Sequence, residues 1–282
     1  MEMRKIQRYG WKPDLPDFRD FYYKDHHSPE ALGIVVAPTN IVKPAPANIV
    51  ASNTNNGLGP DGFPFAISHR SKMPPVFDQG QLGSCTANAG AGLFAFVHGG
   101  GPFSRLQLYY NERLIEGTVN QDSGGYLRDV IKVLAETGVG MESDWPYDVT
   151  KFTQAPPATE VNEEAKNKAI EYSRLVTRQD FRNCLCQGFP FIVGITVYSS
   201  FETDAVAQSG IVPMPTQNDS VVGGHAVCVI GYNTNYNGGD YYEVRNSWGP
   251  DWGDQGNFWL PAEYLENQDL ATDMWTVRKT TI

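Results

Sequence analysis

The apolar pattern of this chain changes period once, and that change limits the possible fold more than any other feature. Between residues 85 and 138, three stretches carry apolar side chains at helical spacing. The run 85–98, "CTANAGAGLFAFVH", is small on several faces, as a helix packed on more than one side must be. Ser84 stands before it in a good N-cap position. "SRLQLYYNERLIEG" (104–117) spaces Leu106, Tyr109, Tyr110 and Leu114 helically and ends on a glycine. "YLRDVIKVLAETG" (126–138) repeats the device with Leu127, Val130, Ile131 and Leu134 before Gly138. After Phe189 the texture is that of strands: "FPFIVGITVY", "HAVCVIGYN", "DYYEVRNSW" and "GNFWLP", bounded by Gly, Pro and Asn. Helices first and strands later predict an α+β fold of two lobes with a cleft between them.

The first seventy residues read differently. "YGWKPDLPDFRDFYY" offers Pro-Asp turns and no helical period, and residues 33–66 are rich in Pro, Asn, Gly and small residues. Such a segment buries too little to fold alone and reads as an extended strap or linker. The expected division is an N-terminal extension over 1–69 and a folded part over 70–282. Its helical left lobe spans about 70–175 and its β-rich right lobe about 176–282. A net charge of −10 argues against nucleic acid or an anionic membrane surface as partner. No run of eighteen apolar residues predicts a membrane span, and "MEMRKIQRYGWKPD" shows no Sec-type apolar region. The compartment stays open.

The four cysteines are Cys85, Cys184, Cys186 and Cys228, too few for a disulfide framework. Cys184 and Cys186 lack the two further ligands a zinc site needs, and Cys228 sits in an apolar strand pattern. No metal or cofactor is expected. Cys85 is the odd one, set after "QGQLGS" at the first turn of a predicted helix. There the helix dipole and unpaired N–H groups favour thiolate over thiol. The glycines before it would let a substrate backbone approach. A nucleophile needs a base, and of five histidines His225 alone opens an apolar strand, in "VVGGHAVCVIGYN". Asn246, in "RNSWG", could accept the imidazole N–H and hold its tautomer. Taken singly, His225 reads as a core residue and Asn246 as a turn residue.

Taken in order, "QGQLGSC", "GGHAVCVIGYN" and "RNSWGPDWGDQG" resemble the papain family of cysteine peptidases. The likeness covers roughly residues 70–282, and "PPVFDQGQLGSCTAN" is similar to bacterial and viral members. His225 and Asn246 follow Cys85 by 140 and 161 residues. The first fits the family's span of about 130–150, and the loop "NTNYNGGD" accounts for the second. The resemblance implies a two-lobed fold with a β-barrel-like right lobe, and a peptide-bond hydrolase working through an acyl-enzyme. It implies Cys85 as nucleophile, His225 as base, Asn246 as orienting group and Gln79 as oxyanion donor. Such a donor is worth roughly 3–4 kcal/mol. Trp248 would shield the His–Asn bond from water. Gly124, Gly125 and Tyr126, in "SGGY", would line the substrate groove and pair with an extended peptide. "ESDWPYD" (142–148) is similar to the family's end-of-lobe segment. The implied partners are peptide or protein substrates and cystatin-like or epoxysuccinyl inhibitors.

Departures from the family pattern are informative. Thr86 follows the nucleophile where Trp is usual, and Leu82 and Asp122 stand where a disulfide is usual. The family's long helical prosegment is absent from residues 1–70, and the Pro-rich, extended character of the strap there leads to the expectation that it lies across or beside the cleft and lowers activity. Two alternatives remain at this point: a transglutaminase-like acyltransferase using the same Cys–His pair, and an inactive peptide-binding homologue.

Overall fold

The sequence's three helical stretches fold where the spacing puts them. In the computed structural model, which describes residues 9–23, 58–59, 61–159, 161 and 166–281, α1 spans Cys85–His98 and α2 spans Arg105–Glu116. α3 (Leu127–Lys132) passes into a π-helical turn at Val133–Thr137, closed by the Gly138 N–H on the Val133 carbonyl at 2.7 Å. Ser104 caps α2 by accepting from the Gln107 N–H. Ser84 does not cap α1 with its side chain; its hydroxyl faces Tyr147 and Asn88 instead. α1 is buried along most of its length, which its Ala and Gly content permits.

The strands are β1 (Ala66–Ser68), β2 (Ala169–Leu175), β3 (Phe191–Tyr198), β4 (Val221–Tyr236), β5 (Gly239–Arg245), β6 (Asn257–Pro261) and β7 (Ala271–Thr280). They form one antiparallel sheet in the order β2-β7-β3-β4-β5-β6, with β1 added to β4. This is an α+β, two-lobed fold, but the sheet is open and no pairing among the described residues closes it into a barrel. The loop "NTNYNGGD" is the end of the β4–β5 hairpin, where Tyr236 pairs with Gly239. Short helices α4 (Arg178–Cys186), α5 (Asp204–Ser209) and α6 (Ala262–Glu266) connect the strands. Thr177 and Asp180 form a capping box at the start of α4.

Two cores result. One packs α1, α2 and α3 against the β4 and β7 side chains Ala226, Cys228, Ile230, Trp275 and Val277. The other gathers Val193 and Ile195 of β3, Val227 and Val229 of β4, and the aromatic residues Phe201, Tyr242 and Phe258. The central strands thus serve both cores through their alternation, and the cleft opens where α1 begins against β4.

Part of the N-terminal extension belongs to this body. Residues 9–12 run between the lobes: the Trp11 N–H donates to the Gly224 carbonyl at 3.0 Å, and the Lys12 N–H to the Gly125 carbonyl at 3.0 Å. Further on, Phe21–Tyr23 pair with Arg174 of β2. Most of the Pro- and Asn-rich stretch, residues 33–57, and also His26 and His27, lie outside the described residues.

Candidate active site

The loop before α1 is tied to the loop after β5. Asp78 and Trp248 form an antiparallel bridge, the Gln79 N–H donates to the Ser247 carbonyl at 2.9 Å, and the Gly249 N–H to the Phe77 carbonyl at 3.0 Å. This pairing carries Gln79 from the helical lobe to the base of the strand that ends beside Asn246. Gln79 is wholly buried; its Oε1 accepts from Ser247 Oγ at 2.7 Å and its Nε2 donates to the Leu82 carbonyl at 3.0 Å. Tyr147, from "ESDWPYD", donates its hydroxyl to the Gln79 carbonyl at 2.9 Å and meets Ser84 Oγ.

Cys85 is the first residue of α1 and has no exposed surface. Backbone N–H groups of Ala226, Gly10 and Thr86 face its sulfur. Ala226 directly follows His225 on β4, so the strand that carries the imidazole abuts the thiol. His225 is equally buried, and its Nε2 lies 2.8 Å from Asn246 Oδ1. The same Oδ1 accepts the Ser247 N–H at 2.8 Å, which identifies that atom as the amide oxygen. Nε2 must therefore be the donor, and Nδ1 carries the lone pair. Nδ1 is buried and makes no hydrogen bond, to the sulfur or to any other group among the described residues. Trp248 stacks on the imidazole with centroids 4.8 Å apart and rings 22° from parallel. It covers the His225–Asn246 bond from one side.

Gly125 takes part in the groove pairing, donating its N–H to the Gly10 carbonyl at 2.7 Å. Gly124 abuts Gly10 from the same wall. Tyr126 stands next to it, with the Lys12 ammonium 4.7 Å above its ring. Gly10 thus meets Cys85, Gly124 and Gly125, while Asn246 and Trp248 adjoin His225 and Gln79 reaches Asn246 through Ser247. His69, bonded through Nε2 to the Leu185 carbonyl, and His98, stacked on Phe94, lie apart from these residues. Cys184, Cys186 and Cys228 are free thiols in other surroundings.

The structure adds residues the sequence did not reveal. Tyr9 sets its ring edge-on to His225 and Trp248 and bonds Glu202 through its hydroxyl. Gly10 passes so close to the cleft wall that a Cβ there would lie 1.7 Å from the Gly83 carbonyl oxygen. The Trp11 indole fills a space over Gly194, where a Cβ would meet the ring at 1.9 Å. The signal available beforehand was "YGW" itself, two aromatic residues around a glycine in an otherwise polar stretch. Glu112 lies wholly buried beneath Gly125, accepting from Thr86 Oγ1 at 2.8 Å, and burial holds its carboxyl well above the usual range. Thr86, in place of the bulkier residue usual after the nucleophile, makes that bond possible.

With the strap in place, burial disfavours charge on both Cys85 and His225. Burial pushes the Cys85 thiol up to about 12, against the lowering effect of the three N–H groups. Burial likewise pushes His225 down to about 4, against the Asn246 bond.

Asp122 takes over the task of the missing disulfide partner. Its Oδ1 accepts the Gly83 N–H at 3.0 Å and the Tyr109 hydroxyl, and Tyr109 in turn accepts the Gly124 N–H at 3.2 Å. Asp122→Ala should lower stability by about 1–3 kcal/mol, because it leaves a buried tyrosine hydroxyl without its acceptor. A melting curve of the full chain measures this; an unchanged midpoint would show the bonds to be dispensable.

Comparisons with known proteins converge on one group. A family profile described as papain family cysteine protease matches residues 63–276. An uncharacterized peptidase C1-like protein of Acanthamoeba polyphaga mimivirus is 40% identical over 220 residues, covering 72% of this chain and 70% of that protein. The crystal structure of xylellain, a cysteine protease from Xylella fastidiosa, superposes with a TM-score of 0.76 at 34% identity, covering 99% of this chain and 98% of that one. Bromelain from Ananas comosus, solved with the E64 inhibitor, shares the fold with a TM-score of 0.60 at 21% identity, over 76% of this chain and 98% of that one.

Proposed function

This chain belongs to the papain family of cysteine proteases, and on that premise we propose how its own residues carry the reaction. It is a cysteine endopeptidase. Cys85 gives its proton to His225 Nδ1 and its sulfur adds to the scissile carbonyl carbon. The Cys85 N–H and the second Nε2 hydrogen of Gln79 hold the oxyanion. His225 then returns the proton to the leaving amine as the C–N bond breaks, leaving an acyl-enzyme. Water, deprotonated by Nδ1, attacks the thioester carbonyl carbon; the C–S bond breaks, the acid leaves, and the Cys85 sulfur takes back the proton held on Nδ1. The observation that carries this reading is the Asn246 amide, oriented by Ser247, which fixes the free lone pair on Nδ1. An acyltransferase is not favoured, because the imidazole's partner is an amide rather than an acid. Epoxysuccinyl inhibitors are expected to alkylate Cys85. The lobes divide at about residue 175, and the extension precedes residue 70.

Residues 9–12 restrain the enzyme by lying where a substrate would. The leaving amine must depart beside His225, the side taken by Tyr9, so a substrate's acyl portion belongs on the Trp11 side. The strap therefore runs opposite to a substrate. It presents the Gly10 N–H to the sulfur, while the Gly10 carbonyl is bonded to Gly125 and not to the oxyanion donors. No carbonyl carbon is offered for attack, so the strap blocks without being cut. The ionised thiolate–imidazolium pair forms when it lifts and water re-enters.

Docking of the strap depends on pH. Asp14 is pushed up to about 6, chiefly by burial and then by the Asp273 carboxylate, against Arg128, the Trp275 N–H and Arg174. Asp20 of the strap faces the same arginines. A carboxyl raised on docking holds its proton more tightly when docked. The Asp14 contribution to docking is therefore fully present below about pH 4 and is lost as pH rises through 6. Hydrogen-exchange protection of the Trp11 and Lys12 amides, in a Cys85→Ala chain, should fall about tenfold or more between pH 5 and pH 7.5. Asp14→Asn should flatten that dependence; an equally steep profile in the variant would refute it.

A further inference from the structure

We propose that Arg128 and Arg174 form a carboxylate-binding subsite at the far end of the substrate groove, and that the strap's own aspartates occupy it in this structure. The inference rests on the peptidase reading of the cleft and extends it to substrate choice. Arg128 lies in the first turn of α3, two residues after Tyr126 of the groove wall, and Arg174 projects from β2. Their guanidinium groups converge on one carboxylate, that of Asp20. Arg128 donates Nε to Oδ1 and Nη2 to Oδ2, both at 2.8 Å, and Arg174 donates Nη1 to Oδ2 at 3.0 Å. The parallel two-point contact from Arg128 is the geometry by which arginine selects carboxylates. Asp14 fills the space behind, accepting from the Arg128 N–H at 3.3 Å, Arg174 Nη1 at 3.4 Å and the Trp275 indole N–H at 3.2 Å.

The body of the enzyme does not balance this charge. Among the described residues, both carboxylates paired with Arg128, Asp14 and Asp20, come from the strap. Arg174 has one body partner among the described residues, Asp273, at 2.5 Å. When the strap lifts, two arginines face a single carboxylate and a free indole N–H. The groove end then carries a net positive charge on a chain whose net charge is −10. A cation left without a body partner beside a peptide groove is a feature that a folding role alone does not require.

The strap also gives the spacing. Trp11 and Asp14 are three residues apart, at most about 10 Å of extended chain. An extended substrate with a side chain in the Trp11 space would reach the arginine pair with a residue two or three positions farther from the cut bond, on its N-terminal side, and its carboxylate would take the seat between Arg128 and Arg174 that Asp20 vacates, not the buried Asp14 place beside Asp273. The chemical class selected is a peptide bearing Asp or Glu there.

The test uses the full chain carrying Gly10→Ala, so that the strap is displaced, and two internally quenched peptides. Both place an aromatic residue for the Trp11 space; one carries Asp two and three positions upstream, the other Asn. The expected kcat/KM ratio of Asp to Asn peptide is about tenfold, corresponding to about 1.4 kcal/mol. It should fall towards one in Arg128→Gln and in Arg174→Gln, and recover in part with Arg128→Lys, which keeps the charge and loses the fork. A ratio of one in the parent, or a ratio that survives both Gln substitutions, overturns the subsite. Calorimetric titration of the two peptides onto the Cys85→Ala, Gly10→Ala chain separates the two readings. Asp-selective binding without turnover in the parent would refute the hydrolytic assignment and leave the subsite standing. Turnover with equal binding, or no binding of either peptide, would refute the subsite.

Discussion

Cys85→Ala should lower kcat/KM by about four orders of magnitude or more while the chain still folds. The thiol is the only atom proposed to bond to substrate, and removing a covalent nucleophile costs that much in enzymes of comparable design. Folding should survive because alanine suits the first turn of a helix already rich in it, and the lost sulfur is small. The companion measurement is labelling by an epoxysuccinyl reagent, followed by mass spectrometry of the adduct. Modification belongs on Cys85. Adducts on Cys184 or Cys228, both buried in the body, would show that another thiol does the chemistry, as would a Cys85→Ala chain that still cuts peptides at the parent rate.

Gly10→Ala should do the reverse and raise the activity of the full chain by about 5- to 150-fold. The added methyl would stand 1.7 Å from the Gly83 carbonyl oxygen, a backbone atom that cannot rotate away. Overpacking of this kind costs about 1–3 kcal/mol, and each step of about 1.4 kcal/mol shifts the docked–undocked balance tenfold. The gain should appear in the fraction of competent enzyme, as active-site titration reads it, and not in turnover per active molecule. If the variant titrates like the parent, the strap is not what limits the full chain.

Much of the fold was legible because its signals are local. Apolar spacing and terminal glycines set α1 and α2 to within a residue of their ends, and the strand runs after Phe189 lie in the sheet. Cys85, His225, Asn246 and Gln79 could be read from three motifs whose order mattered more than any one of them. The π-helical turn after Lys132 was not readable, since Leu127, Val130, Ile131 and Leu134 keep ordinary α-helical spacing in the sequence up to and into it. The role of Gly10 was hidden for another reason: it depends on Gly83, far along the chain, and a glycine in a turn-rich stretch has an ordinary explanation. The same holds for Asp14 and Asp20, whose arginines lie on distant elements of the body. The burial that disfavours charge on Cys85 and His225 is a tertiary fact that helix-dipole reasoning at the first turn does not contain.

The carboxylate that stands in for a cystine at position 122 has a practical corollary. Reductants that keep a thiol nucleophile reduced can also open exposed or strained cystines, so an enzyme braced by such a bridge beside its reactive sulfur risks that brace when reductant is high. Here all four sulfurs are unbridged and the wall is pinned by acceptor oxygens. A reductant can keep the nucleophile alive at any concentration without softening the groove around it.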